Sequence, residues 1–279
     1  MFRFLNIAWL AYQRFSKHDA WAIASHISLS LLMAVFPFLL VLTAMASLMG
    51  QTVLATEAID IMLDGWPKAV SGPISQEIHA LMTGERKGVV TFGVIFALYF
   101  SSSGIEALRV GLNRAYNVRD RRPWWLMRLE SICYVIGGAV LLLAVTLLVV
   151  LGPNAWLAVT EFWPPLADLL PQWDAGPRLL AATAIIAVSL VVAHMVIPAG
   201  RRSLIAVIPG IIITFALWFI AVLGFGWYLT LRPGAYSSTY GSLATAMMLL
   251  VFINMLSAIF LYGGEVNGLL SRFRKYRTE

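Results

Sequence analysis

Hydrophobic positions along the chain fall into six long runs, which are separated by segments rich in glycine, proline or charge. A helix needs about 20 apolar residues to cross the hydrocarbon core of a bilayer. Each run reaches about that length and is far longer than a buried strand. A helix also satisfies its own backbone hydrogen bonds inside lipid, which an open sheet does not. The pattern therefore predicts six transmembrane helices, over residues 27–49, 89–108, 132–151, 179–197, 204–231 and 243–261.

A shorter apolar stretch precedes the first of these runs. On a helix, its polar positions fall on one arc of about 100°, with apolar side chains opposite. The polar positions are Arg3, Asn6, Gln13, Arg14 and Lys17, and the apolar ones are Phe4, Ala8, Ala11, Tyr12 and Phe15. This pattern is typical of a helix that lies in the membrane interface. The predicted fold is all-α: a polytopic membrane protein with a bundle of six transmembrane helices and an N-terminal amphipathic interfacial helix.

The composition supports this interpretation. Hydrophobic residues make up 60% of the 279 positions and charged residues only 12%, whereas soluble domains have about 45–50% and about 25%. A single cysteine, Cys133, excludes a disulfide-stabilised secreted scaffold. The chain is expected to form a single membrane domain over residues 1–279. Within it, residues 1–24 form a cytoplasmic amphipathic segment, residues 27–261 the six spans, and residues 262–279 a basic cytoplasmic tail.

The distribution of charge predicts the orientation. Of the 20 lysines and arginines, 15 lie in the N-terminal segment, the second and fourth loops and the C-terminal segment. The positive-inside rule therefore places both termini in the cytoplasm, as an even number of spans requires. Because the arginines are spread over positions next to the spans, they indicate contact with anionic membrane lipids and not with nucleic acid.

Motifs of common catalytic and cofactor sites are missing from the sequence. The four histidines fall in four different segments, and none forms a His-x-x-x-His pair. No phosphate-binding loop, complete dinucleotide fingerprint or G-x-S-x-G elbow occurs. The sequence therefore predicts no catalytic residue, no cofactor-binding residue, no cofactor and no metal ligand, and the protein is not expected to be an enzyme.

Ionisable residues inside spans are costly and mark candidate functional sites. Glu106 and Arg109 share a helical stripe with Asn113, and Glu265 with Asn267 follows the sixth span. Both spans end on the cytoplasmic side, where the first span brings His26 to a similar depth. The sequence therefore predicts a polar cluster or substrate path at the cytoplasmic mouth of the bundle, formed by Glu106, Arg109, Asn113, Glu265, Asn267 and His26.

A purely structural role for these residues is the alternative. Glu106 could pair with Arg109 on its own helix, and Glu265 with Arg109 or Arg272, to lower the cost of each charge.

Small residues and prolines carry two further expectations. Gly264-x-x-x-Gly268 matches the small-xxx-small pattern of closely packed helices, and the adjacent Gly137 and Gly138 could act in the same way. Pro37 and Pro209 lie inside predicted spans, where proline is expected to bend or break the helix.

Four segments, in matching order and spacing along the whole chain, resemble the YihY/BrkB family of bacterial inner-membrane proteins. They are DAWAIASHISLSLLMAVFPFL at 19–39, SSSGIEALRVGLNRAY at 101–116, Pro209-Gly210 with Leu217-Trp218, and YGSLA at 240–244 continuing to GGEVN at 263–267. Two departures are visible. Ser25-His26-Ile27 stands where many relatives carry tyrosines, and Gly263-Gly264-Glu265 where Gly-Ala-Glu is usual.

The resemblance implies six helices in the bacterial cytoplasmic membrane. Some family members were once labelled ribonuclease BN, which is regarded as a misassignment, and others have been linked to serum resistance and envelope lipid export. The resulting expectation is a protein that translocates a lipid or other amphiphile of the cell envelope, with Arg109 or Arg114 suited to a phosphate-bearing headgroup. Membrane lipids are the expected partners, nucleic acid is not, and a homo-oligomer is left open. The alternative is a non-transporting membrane scaffold or partner-binding subunit.

Overall fold

The computed structural model describes residues 2–48, 87–146, 175–232, 239–240 and 243–278. These residues form helices and the turns between them, and they include no strand. The helices are α1 (Phe2–Lys17), α2 (Ala20–Leu48), α3 (Lys87–Tyr116), α4 (Trp124–Thr146), α5 (Ala175–Val196), α6 (Leu204–Leu231) and α7 (Ala244–Thr278). The all-α class predicted from the sequence is therefore confirmed.

Four of the described helices are long and apolar enough to cross a membrane. Their qualifying segments are Phe92–Tyr116 in α3, Trp124–Leu141 in α4, Leu204–Leu231 in α6 and Ala246–Arg274 in α7. Helices α2 and α5 contain shorter apolar segments, Ala20–Ala34 and Leu180–Val196. The total of six spans stays a prediction. The predicted outer loops between the first two spans, over 50–88, and between the third and fourth spans, over 152–178, lie almost entirely outside the described residues.

Helix α6 shows the apolar outer surface that a membrane span requires. Its outward-facing side chains include Ile212, Phe219, Ile220 and Trp227, each more than 60% exposed. A helix that is apolar all round is either buried in a large core or surrounded by lipid. Because the described residues leave most of each of these side chains uncovered, their surroundings are those of a lipid-facing span.

Helix α7 is the central element, because it packs against α1, α2, α3 and α6. Its glycines allow this close approach. A Cβ on Gly268 would overlap the carbonyl oxygen of Ala115 in α3, and a Cβ on Gly264 would lie 2.8 Å from Leu112 Cδ2. The small-xxx-small prediction for this pair is confirmed. The same expectation for Gly137 and Gly138 is wrong, because no described atom outside their own helix lies within 4 Å of a Cβ built there.

Helix α1 packs on α7 through one face. Ala11 and Phe15 are buried on this face, and Arg14 and His18 join them because positions i, i+3, i+4 and i+7 share one side of a helix. Arg14 was expected on the polar arc opposite the apolar side chains. It is instead turned toward α7, where a buried carboxylate provides a partner.

Proline does not interrupt either helix in which it was expected to bend or break the backbone. Helix α2 continues through position 37 and α6 through Pro209. Pro209 has no N–H for the carbonyl of Ile205, and Arg274 Nη1 of α7 donates to that oxygen at 3.2 Å. The N–H of Gly210 donates to Asn267 Oδ1 at 2.6 Å. Side chains of α7 thus satisfy backbone groups of α6 around the proline.

The segment 262–279 was expected to be a tail, but α7 continues through it to Thr278. Residues 263–269 are all buried. Their small and apolar side chains pack between α1, α3 and α6, so this segment is an integral part of the bundle.

Candidate functional site

Polar side chains gather at one end of the bundle, which we call the α1 end. At this end lie α1, the start of α2, the end of α3, the turns 117–123 and 197–203, and the second half of α7. Hydrogen bonds connect these elements, as between Arg14 Nη2 and the carbonyl of Ala115 at 2.7 Å and between Asn113 and the turn at Ala199. All six residues that the sequence singled out lie at this end. Four of them fall into three separate groups, and the two asparagines bond to backbone groups nearby.

The first group surrounds Glu265, which is 1% exposed. Its Oε2 accepts a hydrogen bond from Arg14 Nε at 3.1 Å, and its Oε1 pairs with His18 Nδ1. Arg14 lies in the last turn of α1, and His18 is the first residue after that helix. Glu265 was expected to pair with Arg109 or Arg272, and this expectation is therefore wrong. This carboxylate holds α1 onto the bundle.

The second group is a charged network around Arg109, whose side chain is also buried. Arg109 Nη1 donates to the carbonyl of Met127 at 2.9 Å, and its Nη2 lies 3.4 Å from Glu130 Oε2. Arg122 donates to the same Glu130 oxygen at 2.6 Å and to Asp120 at 2.6 Å. The hydrogen bonds from Arg122 hold the pKa of Asp120 well below its usual range, at about 2. The network fixes the turn between α3 and α4 against α4.

Two asparagines satisfy backbone groups at the same end. Asn113 Oδ1 accepts from the N–H of Ala199 at 2.8 Å, which fixes the turn between α5 and α6. Asn267 is fully buried, and besides accepting from Gly210 it donates to the carbonyl of Val207 at 2.9 Å. Both amides make the kind of contacts that stabilise helix packing.

The third group lines a pocket of about 570 Å³ between α2 and α3, which we call the α2–α3 pocket. Glu106 Oε2 accepts from Arg128 Nη1 at 2.9 Å. His26 Nε2 lies 3.5 Å from Ser103 Oγ, at the limit of a hydrogen bond. The pocket is lined by Asp19, Ala22, Ile23 and His26 of the α2 side and by Ser103, Glu106, Ala107, Val110 and Arg114 of α3.

Arg114 forms the remaining charged part of the pocket wall. Its Nη1 donates to the carbonyl of His18 at 2.7 Å and to Asp19 Oδ2 at 3.1 Å. The side chain of Arg114 is 45% exposed and that of Asp19 is 72% exposed. The pocket therefore presents carboxylates, a guanidinium and an imidazole to whatever enters it.

Of the predicted residues, the structure brings Glu106 and His26 to the α2–α3 pocket, and Glu106 and Arg109 to a second pocket of about 420 Å³ between α3 and α4. Glu106, Arg109 and Glu265 have separate partners, because partners from α1 and α4 satisfy each charge locally. Sequence analysis did not identify Asp19 as a residue of the pocket wall. The part of the wall that α3 forms could have been predicted, because Ser103, Glu106 and Arg114 share one helical face at i, i+3 and i+11. In the described part of the chain, no group of three or more histidine, cysteine or acidic side chains could hold a metal ion.

Long apolar helices with exposed hydrophobic surfaces, joined at one end by paired charges, define a helical membrane protein. The chain belongs to the virulence factor BrkB family, whose model matches residues 11–279. This confirms the family resemblance found in the sequence.

Several curated proteins are similar over most of the chain. The putative ribonuclease-like protein YfkH of Bacillus subtilis is 26% identical over 269 residues, which cover 96% of both chains. A UPF0761 membrane protein of Aggregatibacter aphrophilus is 20% identical and covers 97% of this chain and 93% of its own. A UPF0761 membrane protein of Alkalilimnicola ehrlichii is 24% identical, over 94% of this chain and 57% of its own. No solved structure matches the chain.

Proposed function

We propose that the protein translocates a lipid or other amphiphile of the cell envelope, between leaflets or across the membrane. The α2–α3 pocket is the observation that carries this proposal. It lies between two helices of a membrane protein and combines charged side chains with apolar ones from Ala22, Ile23 and Val110. A headgroup can occupy its polar wall while the acyl chains stay in the bilayer.

The ion pairs at the pocket suit an exchange of partners. Charges at membrane depth are costly unless they are paired or hydrated. In the structure Glu106 is paired with Arg128, and Asp19 with Arg114. An arriving headgroup replaces part of these contacts and is released when the pairs form again.

A non-transporting scaffold is the second candidate, and the packing of α7 favours it. Gly210 and Gly263 bring α6 and α7 into backbone contact, and Glu265 is sealed from solvent. Among the described residues, the contact between α6 and α7 at these glycines leaves no space for a headgroup, so translocation would have to proceed elsewhere, as along the α2–α3 side.

Reconstitution in liposomes with fluorescently labelled lipids tests the proposal. We expect the protein to accelerate lipid movement between leaflets, and the Glu106→Gln variant to lose several-fold of that rate. The matched control is Glu77→Gln, in the predicted outer loop, which should retain the rate. If none of a broad lipid panel moves, with or without an ion gradient, the scaffold replaces this proposal.

A further inference from the structure

We infer that the α2–α3 pocket selects a zwitterionic headgroup, in which a phosphate and a primary ammonium lie a few bonds apart. The inference rests on the proposed function, because it names the class of substrate for the same pocket. Three features of the pocket wall carry it: unused acceptors at one end, unused donors at the other, and a balance of charge between them.

The acceptor end is formed by Glu106, His26 and Ser103. Arg128 occupies only the Oε2 atom of Glu106, and no described protein donor contacts the Oε1 atom. The side chain of Glu106 is 36% exposed. His26 and Ser103 make only a long contact with each other, so each can accept a shorter hydrogen bond from a ligand. A primary ammonium carries three donors in a compact group and matches three such acceptors.

The donor end is formed by Arg114. Its Nη1 atom makes the described contacts, to the carbonyl of His18 and to Asp19, so Nε and Nη2 have no protein acceptor among the described residues. A guanidinium binds phosphate through paired parallel donors. Arg114 lies two turns from Glu106 on the same face of α3, and both line the pocket.

The charges of the wall favour a ligand without net charge. The pocket is lined by the carboxylates of Asp19 and Glu106 and by the guanidinium of Arg114, which pairs with Asp19. Arg128 lies outside this lining and balances the second carboxylate through its pair with Glu106. A lipid with only a phosphate would meet the two carboxylates, and a purely cationic amphiphile would meet the Arg114 guanidinium. Like charges placed together cost binding free energy and so exclude the wrong partner.

Liposomes that contain the full chain and tail-labelled lipids test the inference. We expect phosphatidylethanolamine to move several-fold faster than phosphatidylglycerol, and faster than phosphatidylcholine, whose ammonium has no N–H donor. Glu106→Gln should lower the ratio of the phosphatidylethanolamine rate to the phosphatidylglycerol rate. Arg114→Gln should slow the movement of all three lipids. The controls Glu77→Gln and Arg201→Gln should keep the wild-type ratio. Because each ratio is measured within one preparation, loss of folded protein does not change it.

A second arm measures binding of soluble glycerophosphoethanolamine by calorimetry. If phosphatidylglycerol moves as fast as phosphatidylethanolamine, the inference is overturned and the proposed function stands. If no lipid moves but the soluble headgroup binds in a Glu106-dependent way, the headgroup chemistry stands and translocation is overturned. If there is neither binding nor movement, both are overturned.

Discussion

At the scale of single residues, the most consequential contact joins Glu265 to Arg14 and His18. The carboxylate is buried, and its partners are 15% and 24% exposed. A charge in such surroundings is tolerated only while it is paired. The pair therefore makes the docking of α1 depend on one side chain of α7.

Glu265→Gln should destabilise the protein by about 2–3 kcal/mol, somewhat less than the loss of a fully buried pair. The substitution leaves the Arg14 guanidinium without its counter-charge while the shape of the side chain is kept. Thermal unfolding in detergent measures the effect, and Glu77→Gln is the control. Equal unfolding temperatures for the two variants would show that the pair contributes nothing to the bundle.

At the scale of elements, the fold depends on how closely α7 approaches its neighbours. Gly268 contacts the backbone of α3 at Ala115, and Gly263 contacts α6 at Gly210 and Thr214. Association between membrane helices relies on such close packing because lipid supplies no hydrophobic driving force. These helix contacts therefore require glycine, because they leave no space for a side chain.

Gly268→Ala should cost about 1–3 kcal/mol of stability, because the added methyl group overlaps a backbone oxygen that cannot rotate away. Gly224→Ala on α6 is a matched control, since a Cβ at that position meets no described atom within 4 Å. We expect the control to unfold at or above the wild-type temperature, because alanine is the better helix former. If both variants behave alike, α3 and α7 are not in the contact described.

At the scale of the whole molecule, the charged α1 end predicts the orientation in the membrane. The turn 117–123 and the turn 197–203 lie at this end, and both are rich in arginine. The positive-inside rule therefore predicts that this end, together with both termini, lies on the cytoplasmic side of a bacterial inner membrane.

Cysteine labelling tests this topology. The natural Cys133 is exposed and should first be replaced by serine. Arg121→Cys is a suitable probe because Arg121 is an exposed turn residue, whereas Asn117 has a positive φ of 55° that suits asparagine. We expect a membrane-impermeant reagent to label Lys68→Cys but not Arg121→Cys in intact cells. The reverse pattern would invert the topology.

The sequence by itself determined the class of fold. Long apolar runs require helices in lipid whatever their neighbours are, so the helices and the membrane setting follow from composition and spacing. The family followed from four segments in matching order. The close approach through Gly264 and Gly268 could also be predicted, because both positions share one helix face.

Only the tertiary structure decided which charges meet. Glu265 and Arg14 are 251 residues apart, and nothing along the chain shows which face of α1 turns toward α7. Tertiary structure also decides that α6 continues through Pro209. Asn267 and Arg274 of α7 satisfy the backbone groups next to this proline. Local sequence patterns specify which groups need a partner, but the partner depends on the helix that packing places beside them.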